Sequence, residues 1–293
     1  GIHDLEALAD VKFTVGAVVP EDGLLVLNAD DAMLRTKAAG IGRRFGHCPP
    51  LGWFAADADA PYLAAHRQNG GSTCGVRSGR LVVAHRGEEH DLGEIARMPL
   101  TVGGRASYNV ANLAAAALSA VGLGVPAAKV AEVFGCFGER VTDNPGRLMR
   151  FEHAGVLVLV DYAHNPEGLA GLLEVASSLR RDGGRLGVVL GHAGNRGDRD
   201  IERLATTAAK FAPALVVIKE LEGYLRGREP GEVPRILHAA LLRAGLPGDA
   251  LKMQSTELDA VRCALEWGRP GDVLALPVHG LAARATVLES LQN

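Results

Sequence analysis

Hydrophobic runs and polar stretches alternate regularly from residue 148 to the end of the chain. Runs of four or five apolar residues are typical of strands buried on both faces of a parallel sheet, and the stretches between them are long enough for helices. Strands are predicted at 156–160, 186–190, 215–218 and 273–276, and helices at about 166–181, 200–211, 231–244 and 256–267. This half therefore predicts a doubly wound α/β domain with a parallel sheet.

The first half of the chain has a less regular pattern. Apolar residues at 5, 8, 11 and 15 fit one face of a helix that Asp4 can cap. The other predicted elements are a strand at 24–27, an antiparallel flank between 41 and 95 with strands at 75–77, 81–84 and 90–92, and helices at about 103–117 and 126–137. A Pro-Gly pair at 145–146 then breaks the pattern, so we predict two domains, 1–147 and 148–293.

Composition narrows the class of protein. The 293 residues are 47% hydrophobic and carry a formal net charge of -3, which gives no broad electrostatic reason to bind nucleic acid or an anionic membrane. The four cysteines form no CxxC pair, so we expect free thiols in a reducing cytosol. No apolar run reaches 18 residues, and this predicts a soluble cytoplasmic protein. Because Gly1 stands in place of an initiator methionine, we expect a fragment or part of a longer protein.

Polar residues follow the predicted strands. Asp161, His164 and Asn165 come after the strand at 156–160, and Pro166 fits the first turn of the next helix. Other strands run into polar or glycine-rich segments at 28–31, 191–200, 219–220 and 277–280. Since the carboxyl ends of parallel strands meet at one edge of a sheet, the segments of the second half predict one common ligand-binding crevice.

Asn109 and Asn112 share a face on the first turn of the alanine-rich helix. Side-chain amides both donate and accept hydrogen bonds, so the pair could recognise the edge of a purine. The alternative is that one asparagine only caps the helix, a position that asparagine favours.

Three motifs in this order resemble the Mur ligase superfamily. They are Tyr108-Asn109-Val110-Ala111-Asn112, Asn144-Pro145-Gly146-Arg147 and Asp161-Tyr162-Ala163-His164-Asn165-Pro166. Members of that superfamily form amide bonds with ATP through an acyl phosphate. The resemblance implies that 1–147 is the later part of the central ATPase domain, with an antiparallel flank, and that 148–293 is the Rossmann-like C-terminal domain. Within the superfamily, residues 1–12, 26–31 and 219–232 resemble the Mur-like half of the cyanophycin synthetases, which adds arginine to an aspartate side chain.

The resemblance also implies roles for residues at an ATP site. Asn109 and Asn112 would contact adenine, Arg147 the nucleotide, and Asp161 the ribose hydroxyls, with Asn165 beside them. His164 would be catalytic by orienting the nucleotide or the reacting carboxylate, or it would only hold a turn. Lys12 matches a lysine that is carbamylated in many members and helps to hold Mg²⁺; the alternative is a plain surface lysine.

The substrates expected from the resemblance are small molecules, an amino acid or a peptide. Arg196 and Arg199 are candidates to bind phosphate or the carboxylate of the acceptor, because guanidinium groups match both ions. Arg226 and Arg228 are expected to bind substrate near the acceptor, with no specific role assigned. A solvated loop is the alternative for Arg196 and Arg199. We expect neither a nucleic-acid nor a membrane partner, and the sequence leaves homo-oligomerisation open.

A phosphate-binding loop of the form G-x-x-x-x-G-K-[ST] is absent from the 293 residues. In the superfamily this loop precedes the part that the chain resembles. We therefore expect either an upstream segment or partner chain that supplies the loop, or a truncated relative that binds triphosphate poorly. The alternatives to a cyanophycin-synthetase-like ligase are a folylpolyglutamate or peptidoglycan-peptide ligase and a non-catalytic module that binds a nucleotide or an amino acid.

Overall fold

A computed structural model describes residues 4–292, and the chain forms two compact units, Gly1–Glu139 and Arg140–Asn293. Residues 1–3, which belong to the 1–12 segment of the resemblance, lie outside the described residues. The domain boundary after residue 147 stays a prediction. Each unit has its own sheet and its own core, so the two are described separately.

Unit 1 is built on a five-stranded sheet in the order β1-β2-β3-β4-β5. Strands β1, β2 and β3 are parallel, and β3, β4 and β5 form an antiparallel flank over residues 72–94. The flank predicted from residue 41 onward is therefore wrong for the segment of β2, which pairs in parallel. The strands are β1 (Leu25–Asn28), β2 (Leu51–Asp57), β3 (Ser72–Arg77), β4 (Arg80–His85) and β5 (Glu88–Glu94). The helices are α1 (Leu5–Phe13), α2 (Ala32–Ala39), α3 (Ile41–Phe45), α4 (Pro61–Gln68), α5 (Ser107–Gly122) and α6 (Ala127–Phe134).

The structure confirms the predicted cap of helix α1, but most of the apolar face of this helix is not buried. The Asp4 carboxylate accepts a hydrogen bond from the Ala7 N–H at 2.7 Å. Phe13 is the buried residue of α1, whereas Leu5 and Val11 of the apolar stripe are 73% and 52% exposed. The main core of unit 1 forms where α5 lies on the sheet, with Leu113 and Leu118 packed among residues of β3 and β4.

Unit 2 has a six-stranded sheet in the order β10-β9-β8-β11-β7-β6. All pairs are parallel except the edge strand β6, which runs antiparallel to β7. The strands are β6 (Met149–His153), β7 (Val156–Asp161), β8 (Leu186–Leu190), β9 (Leu215–Lys219), β10 (Leu251–Gln254) and β11 (Val273–Pro277). The helices are α7 (Pro166–Leu179), α8 (Asp198–Ala209), α9 (Glu232–Arg243), α10 (Glu257–Trp267) and α11 (Leu281–Gln292).

The order of the strands confirms a doubly wound sheet. The chain steps from β7 to β8, β9 and β10 in one direction and then returns to place β11 between β8 and β7. Because such crossovers are right-handed, α10 lies on the opposite face from α7, α8 and α9. Every residue of β8, β9 and β11 is buried, as their apolar runs predict. The reversal of direction places the carboxyl ends of β7, β11 and β8 side by side, where ligands bind in folds of this kind.

Two further expectations are tested by the structure. All four cysteines are free thiols, as their spacing predicts. Each helix in residues 4–292 is too short or too polar to cross a membrane.

Candidate active site

A cavity of about 180 Å³ opens at the carboxyl edge of the sheet in unit 2. The segments that follow β7, β8, β9 and β11 all contribute to its wall, which confirms the common crevice expected from the sequence. The lining residues are Tyr162, His164, Gly191, His192, Ala193, Asn195, Arg196, Leu221, Tyr224, Arg226 and His279. Three histidines and two arginines thus face one small space.

Asp161 lies at the end of β7 and is 8% exposed. Its carboxylate accepts one hydrogen bond from the Leu148 N–H and one from the Ala163 N–H, both at 2.7 Å. Burial raises the pKa of Asp161, and these hydrogen bonds and the charge of Arg147 oppose the rise. Each oxygen holds one backbone donor, so each can still accept a second hydrogen bond, as two ribose hydroxyls would require.

Arg147 lies beside this carboxylate and over an aromatic ring. Its guanidinium carbon is 5.0 Å from the centre of the Tyr162 ring, and that of Arg284 is 5.7 Å from the same ring. Asn165 has a structural role, because its side-chain oxygen accepts the Gly168 N–H at 2.7 Å and caps α7. Its predicted contact with a nucleotide stays a prediction.

Two arginines predicted to belong to the site, Arg147 and Arg196, both act electrostatically on His164. Burial lowers the pKa of His164, and the charges of Arg147 and Arg196 lower it further, against a weaker effect of Asp161. Its ring centre is 5.0 Å from that of Tyr162. His164 is therefore harder to protonate than a free histidine, and the cations that lower its pKa lie in the Arg147 segment and in the loop that carries Arg196.

Arg228 joins two of the loops that form the cavity. Its guanidinium donates to the carbonyl oxygens of Gly194 and Arg196 at 2.9 and 2.8 Å, and to the carboxylates of Asp198 and Glu232 at 2.7 and 2.6 Å. Most of its donors are therefore occupied inside the protein, and the observed role of Arg228 is to hold the loops together. Its predicted contact with a substrate stays a prediction.

Gly194 allows the same two loops to touch through their backbones. Its N–H donates to the Tyr224 carbonyl at 2.8 Å, and a Cβ atom at Gly194 would lie only 1.9 Å from the Leu225 carbonyl oxygen. Only glycine fits this approach.

Arg196 and Arg226 are exposed cations on the cavity wall. The guanidinium of Arg226 lies 5.5 Å from the centre of the Tyr224 ring. Neither arginine forms an ion pair within residues 4–292, in contrast to Arg228. Arg199 is exposed in the first turn of α8 and does not line the cavity. The structure thus brings Arg196 and Arg226 to the same cavity and leaves Arg199 outside it.

Unit 2 also contains a buried charged cluster, Lys219 with Glu257, that the sequence does not predict. Lys219 is fully buried and donates to the Glu257 carboxylate and to the Pro277 carbonyl. Glu257 also accepts the backbone N–H groups of His279 and Gly280 at 2.9 and 2.6 Å. A lysine at the end of an apolar strand was the available signal, but the sequence does not show that its partner begins α10.

The predicted nucleotide and metal residues of unit 1 lie on helices. Asn109 is buried in α5; its amide donates to the Leu100 carbonyl at 2.8 Å and its oxygen accepts from Asn112 at 3.2 Å. The helix begins at Ser107 after Ala106, so the alternative that an asparagine caps it is wrong. Lys12 is exposed in the last turn of α1.

The fit of these residues to ATP and Mg²⁺ is uneven. Asp161 keeps two acceptor positions, and Arg147 beside it suits an anionic ligand, which is the chemistry that the sugar and a charged group of a nucleotide require. Asp161 is buried, however, and neither residue lines the cavity. For Mg²⁺, the part of the chain between residues 4 and 292 contains no group of three histidine, cysteine or acidic side chains that could hold a metal ion. The described residues therefore do not form a site for Mg²⁺ by themselves.

Sequence comparisons identify relatives of both units. Residues 146–276 match the family model described as Mur ligase, glutamate ligase domain. A cyanophycin synthetase of Synechocystis sp. is 29% identical over 265 residues, which are 90% of this chain and 29% of that protein. A UDP-N-acetylmuramate–L-alanine ligase of Acidothermus cellulolyticus is 32% identical over 286 residues, 92% of this chain and 52% of that protein. The chain thus spans about half or less of the length of these relatives.

Solved structures with the same fold are ligases of related kinds. A murein peptide ligase of Psychrobacter arcticus has a TM-score of 0.63 at 15% identity, over 98% of this chain and 55% of that one. A folylpolyglutamate synthase of Mycobacterium tuberculosis, solved with ADP and AMPPCP, has a TM-score of 0.56 at 16% identity, over 97% of this chain and 71% of that one. At these identities the structures show the fold alone. The family model thus identifies residues 146–276 as a Mur ligase, glutamate ligase domain, and the sequence relatives of the chain as a whole are cyanophycin synthetases and Mur-type ligases.

Proposed function

We propose that this protein acts in ATP-dependent amide-bond formation through an acyl phosphate. A carboxylate attacks the terminal phosphate of ATP, and an amine then attacks the resulting acyl phosphate and releases phosphate. The observation that carries the proposal is the position of His164 in a cavity at the carboxyl edge of the sheet. Its pKa responds to Arg147 in the segment predicted to bind nucleotide and to Arg196 in the loop predicted to bind the acceptor.

The roles follow from the charges around the cavity. Asp161 would accept the ribose hydroxyls, and Arg147 would neutralise charge on the nucleotide or on the acyl phosphate. Arg196 and Arg226 would hold the carboxylate of the acceptor so that its amine meets the acyl phosphate in a suitable orientation. Catalysis would come mainly from positioning and from fixed positive charge, which are large effects where water is excluded.

A second candidate concerns the acceptor. No acidic side chain lines the cavity in the part of unit 2 that the structure describes, whereas Arg196 and Arg226 both do. A cavity with this positive lining favours an acceptor that carries carboxylates. It has no negative side chain that could pair with the guanidinium of an arginine acceptor. This observation favours an acceptor such as glutamate, in the manner of a folylpolyglutamate or peptidoglycan-peptide ligase, over the arginine that the likeness to cyanophycin synthetases suggests.

A screen of acceptors tests the proposal and separates the two candidates. The full-length gene product is incubated with ATP, an oligo-aspartate or oligo-glutamate donor probe, and each amino acid in turn, and phosphate release is measured. Stimulation by an amino acid supports a ligase, and a preference for glutamate over arginine supports the second candidate. If ATP binds but no acceptor stimulates release with either donor, a non-catalytic binding module is the better description.

The contribution of Arg226 can be measured in the same assay. A charge-assisted hydrogen bond contributes about 1.5–3 kcal/mol, so Arg226→Gln should raise the KM for the acceptor about 10- to 100-fold with a smaller effect on the KM for ATP. Arg180→Gln is the matched control, because Arg180 is exposed just after α7 and outside the cavity. An unchanged acceptor KM in Arg226→Gln would remove this residue from the site.

A further inference from the structure

His192 differs from the other two histidines of the cavity in the state of its ring nitrogens. It follows β8, is 6% exposed and lines the cavity. Its Nδ1 lies 3.3 Å from the Ala193 carbonyl oxygen. Because a carbonyl oxygen can only accept, Nδ1 must carry the proton, and Nε2 is left with a free lone pair. In the described part of the chain Nε2 has no hydrogen-bond partner.

The other two histidines lack this arrangement. His279 is 8% exposed: its Nε2 lies 3.4 Å from the Ala163 carbonyl oxygen, and its Nδ1, 3.5 Å from a Glu257 oxygen, is buried and forms no hydrogen bond within residues 4–292. His164 is exposed, and no ring hydrogen bond within residues 4–292 fixes its tautomer. Of the three histidines that line the cavity, only His192 therefore combines a ring hydrogen bond that fixes the tautomer with an unpaired nitrogen that is not buried.

The surroundings of His192 keep its imidazole neutral. Burial lowers the pKa of His192, and the positive charge of Arg196 on the same loop and the neighbouring His279 lower it further. The Ala193 carbonyl and the carboxylate of Asp200 in α8 oppose these effects without reversing them. A neutral histidine can accept a proton at physiological pH.

We propose that His192 is the general base that deprotonates the amine of the acceptor, an inference that rests on the proposed ligase function. An acceptor amine is an ammonium ion at neutral pH and has no lone pair for attack. An N–H bond of the ammonium breaks, its electron pair stays on the nitrogen, and the proton binds Nε2 of His192.

The free amine then attacks the carbonyl carbon of the acyl phosphate. A C–N bond forms, and the C–O bond to phosphate breaks with its electron pair leaving on the phosphate oxygen. A second proton passes from the nitrogen to the departing phosphate, which is released as hydrogen phosphate, and His192 returns its proton to water. The step needs only the acyl phosphate and the amine that the proposed function supplies.

Two acceptors with different charge states test this role in the full-length gene product. An amino acid needs a base, whereas hydroxylamine is uncharged at neutral pH and forms a hydroxamate without one. For His192→Gln we expect kcat/KM with the amino acid to fall about 10²–10⁴-fold at pH 7, with hydroxamate formation within about twofold of wild type. The loss should shrink as the pH approaches the pKa of the amine. His238→Gln in α9, outside the cavity, should match wild type in both assays.

The results that would contradict the role of His192 differ from those that would contradict the proposed ligase function. An equal loss with both acceptors, or no loss with either, would overturn the role of His192 as a base. If the wild-type protein binds ATP but forms no hydroxamate, the proposed function itself fails. Should His192→Gln not unfold cooperatively, nitrogen-15 NMR of the wild-type ring decides: protonation at Nδ1 at pH 7 is expected, and protonation at Nε2 contradicts the proposal.

Discussion

Lys219 is the residue whose environment departs most from its ordinary chemistry. It is fully buried, and Glu257, its ion-pair partner, is 4% exposed. Removing one member of a buried pair leaves the other charge without compensation, which costs about 3–5 kcal/mol. We expect Lys219→Met to lower the free energy of unfolding by that amount, measured by urea denaturation. Lys252→Met, at an exposed position of β10, should change it little.

The double variant Lys219→Met with Glu257→Gln identifies the cause of that loss. It should be more stable than Lys219→Met alone, because no buried charge is left unpaired. A double variant less stable than the single one would show that shape, rather than charge, dominates at this position.

Although burial acts to raise it, the pKa of Glu257 is lowered by its hydrogen bond with His279 and by Lys219. The ionised Glu257 therefore stabilises the folded protein at pH values above the ordinary glutamate pKa. This contribution to the free energy of unfolding is lost as the pH falls towards the pKa of Glu257 in the folded protein. The Glu257→Gln variant should lack this pH dependence.

Single residues also show how far the sequence predicts the site. The position of Asp161 after an apolar strand predicts its place at the sheet edge, and the structure confirms that place. The sequence does not reveal that both Asp161 oxygens bind backbone N–H groups, or that Asp198 and Glu232 occupy part of the Arg228 guanidinium. The contacts of Asp161 with Leu148 and of Arg228 with Asp198 join residues 13 and 30 positions apart, and no local pattern encodes them.

At the scale of elements, the contact between the loops after β8 and β9 determines the shape of the cavity. Gly194→Ala would push a methyl group into the Leu225 carbonyl, which is backbone and cannot turn away. We expect a loss of about 1–3 kcal/mol in stability and a raised KM for the acceptor, because the loops must separate. Gly197→Ala is the matched control, since a Cβ atom there meets nothing within 4 Å. Equal effects of the two substitutions would show that general loop stiffness, not this contact, is responsible.

The elements that the sequence predicts share a strong pattern. Strands β7, β8, β9 and β11 are uninterrupted apolar runs, and each agrees with its prediction to within about one residue. In unit 2 the elements that the sequence does not predict, β6, β10 and α11, lack that signal. Strand β6 is an edge strand with exposed polar residues, and α11 buries only Val287 and Leu291. Such elements are defined by their neighbours in the sheet more than by their own residues.

At the scale of the molecule, each unit contains a hydrophobic core of its own. Residues 140–293 alone should therefore fold and unfold in one cooperative urea transition. Trp267, the only tryptophan of this unit, lies 3.9 Å from the Arg185 guanidinium and reports on tertiary structure by fluorescence. Its transition should coincide with that of the far-ultraviolet circular dichroism. Separate transitions would show that unit 2 needs further residues to fold.

The central claim is that the protein forms amides through an acyl phosphate, and oxygen-18 transfer tests it most directly. The full-length gene product is given ATP, the stimulating amino acid, and the donor probe that supports activity, with oxygen-18 in its carboxylates. Because the carboxylate oxygen becomes the bridge to phosphate and leaves with it, each amide bond should deliver one oxygen-18 atom to the released phosphate. Amide formation with unlabelled phosphate, or with the label in AMP, would contradict the account.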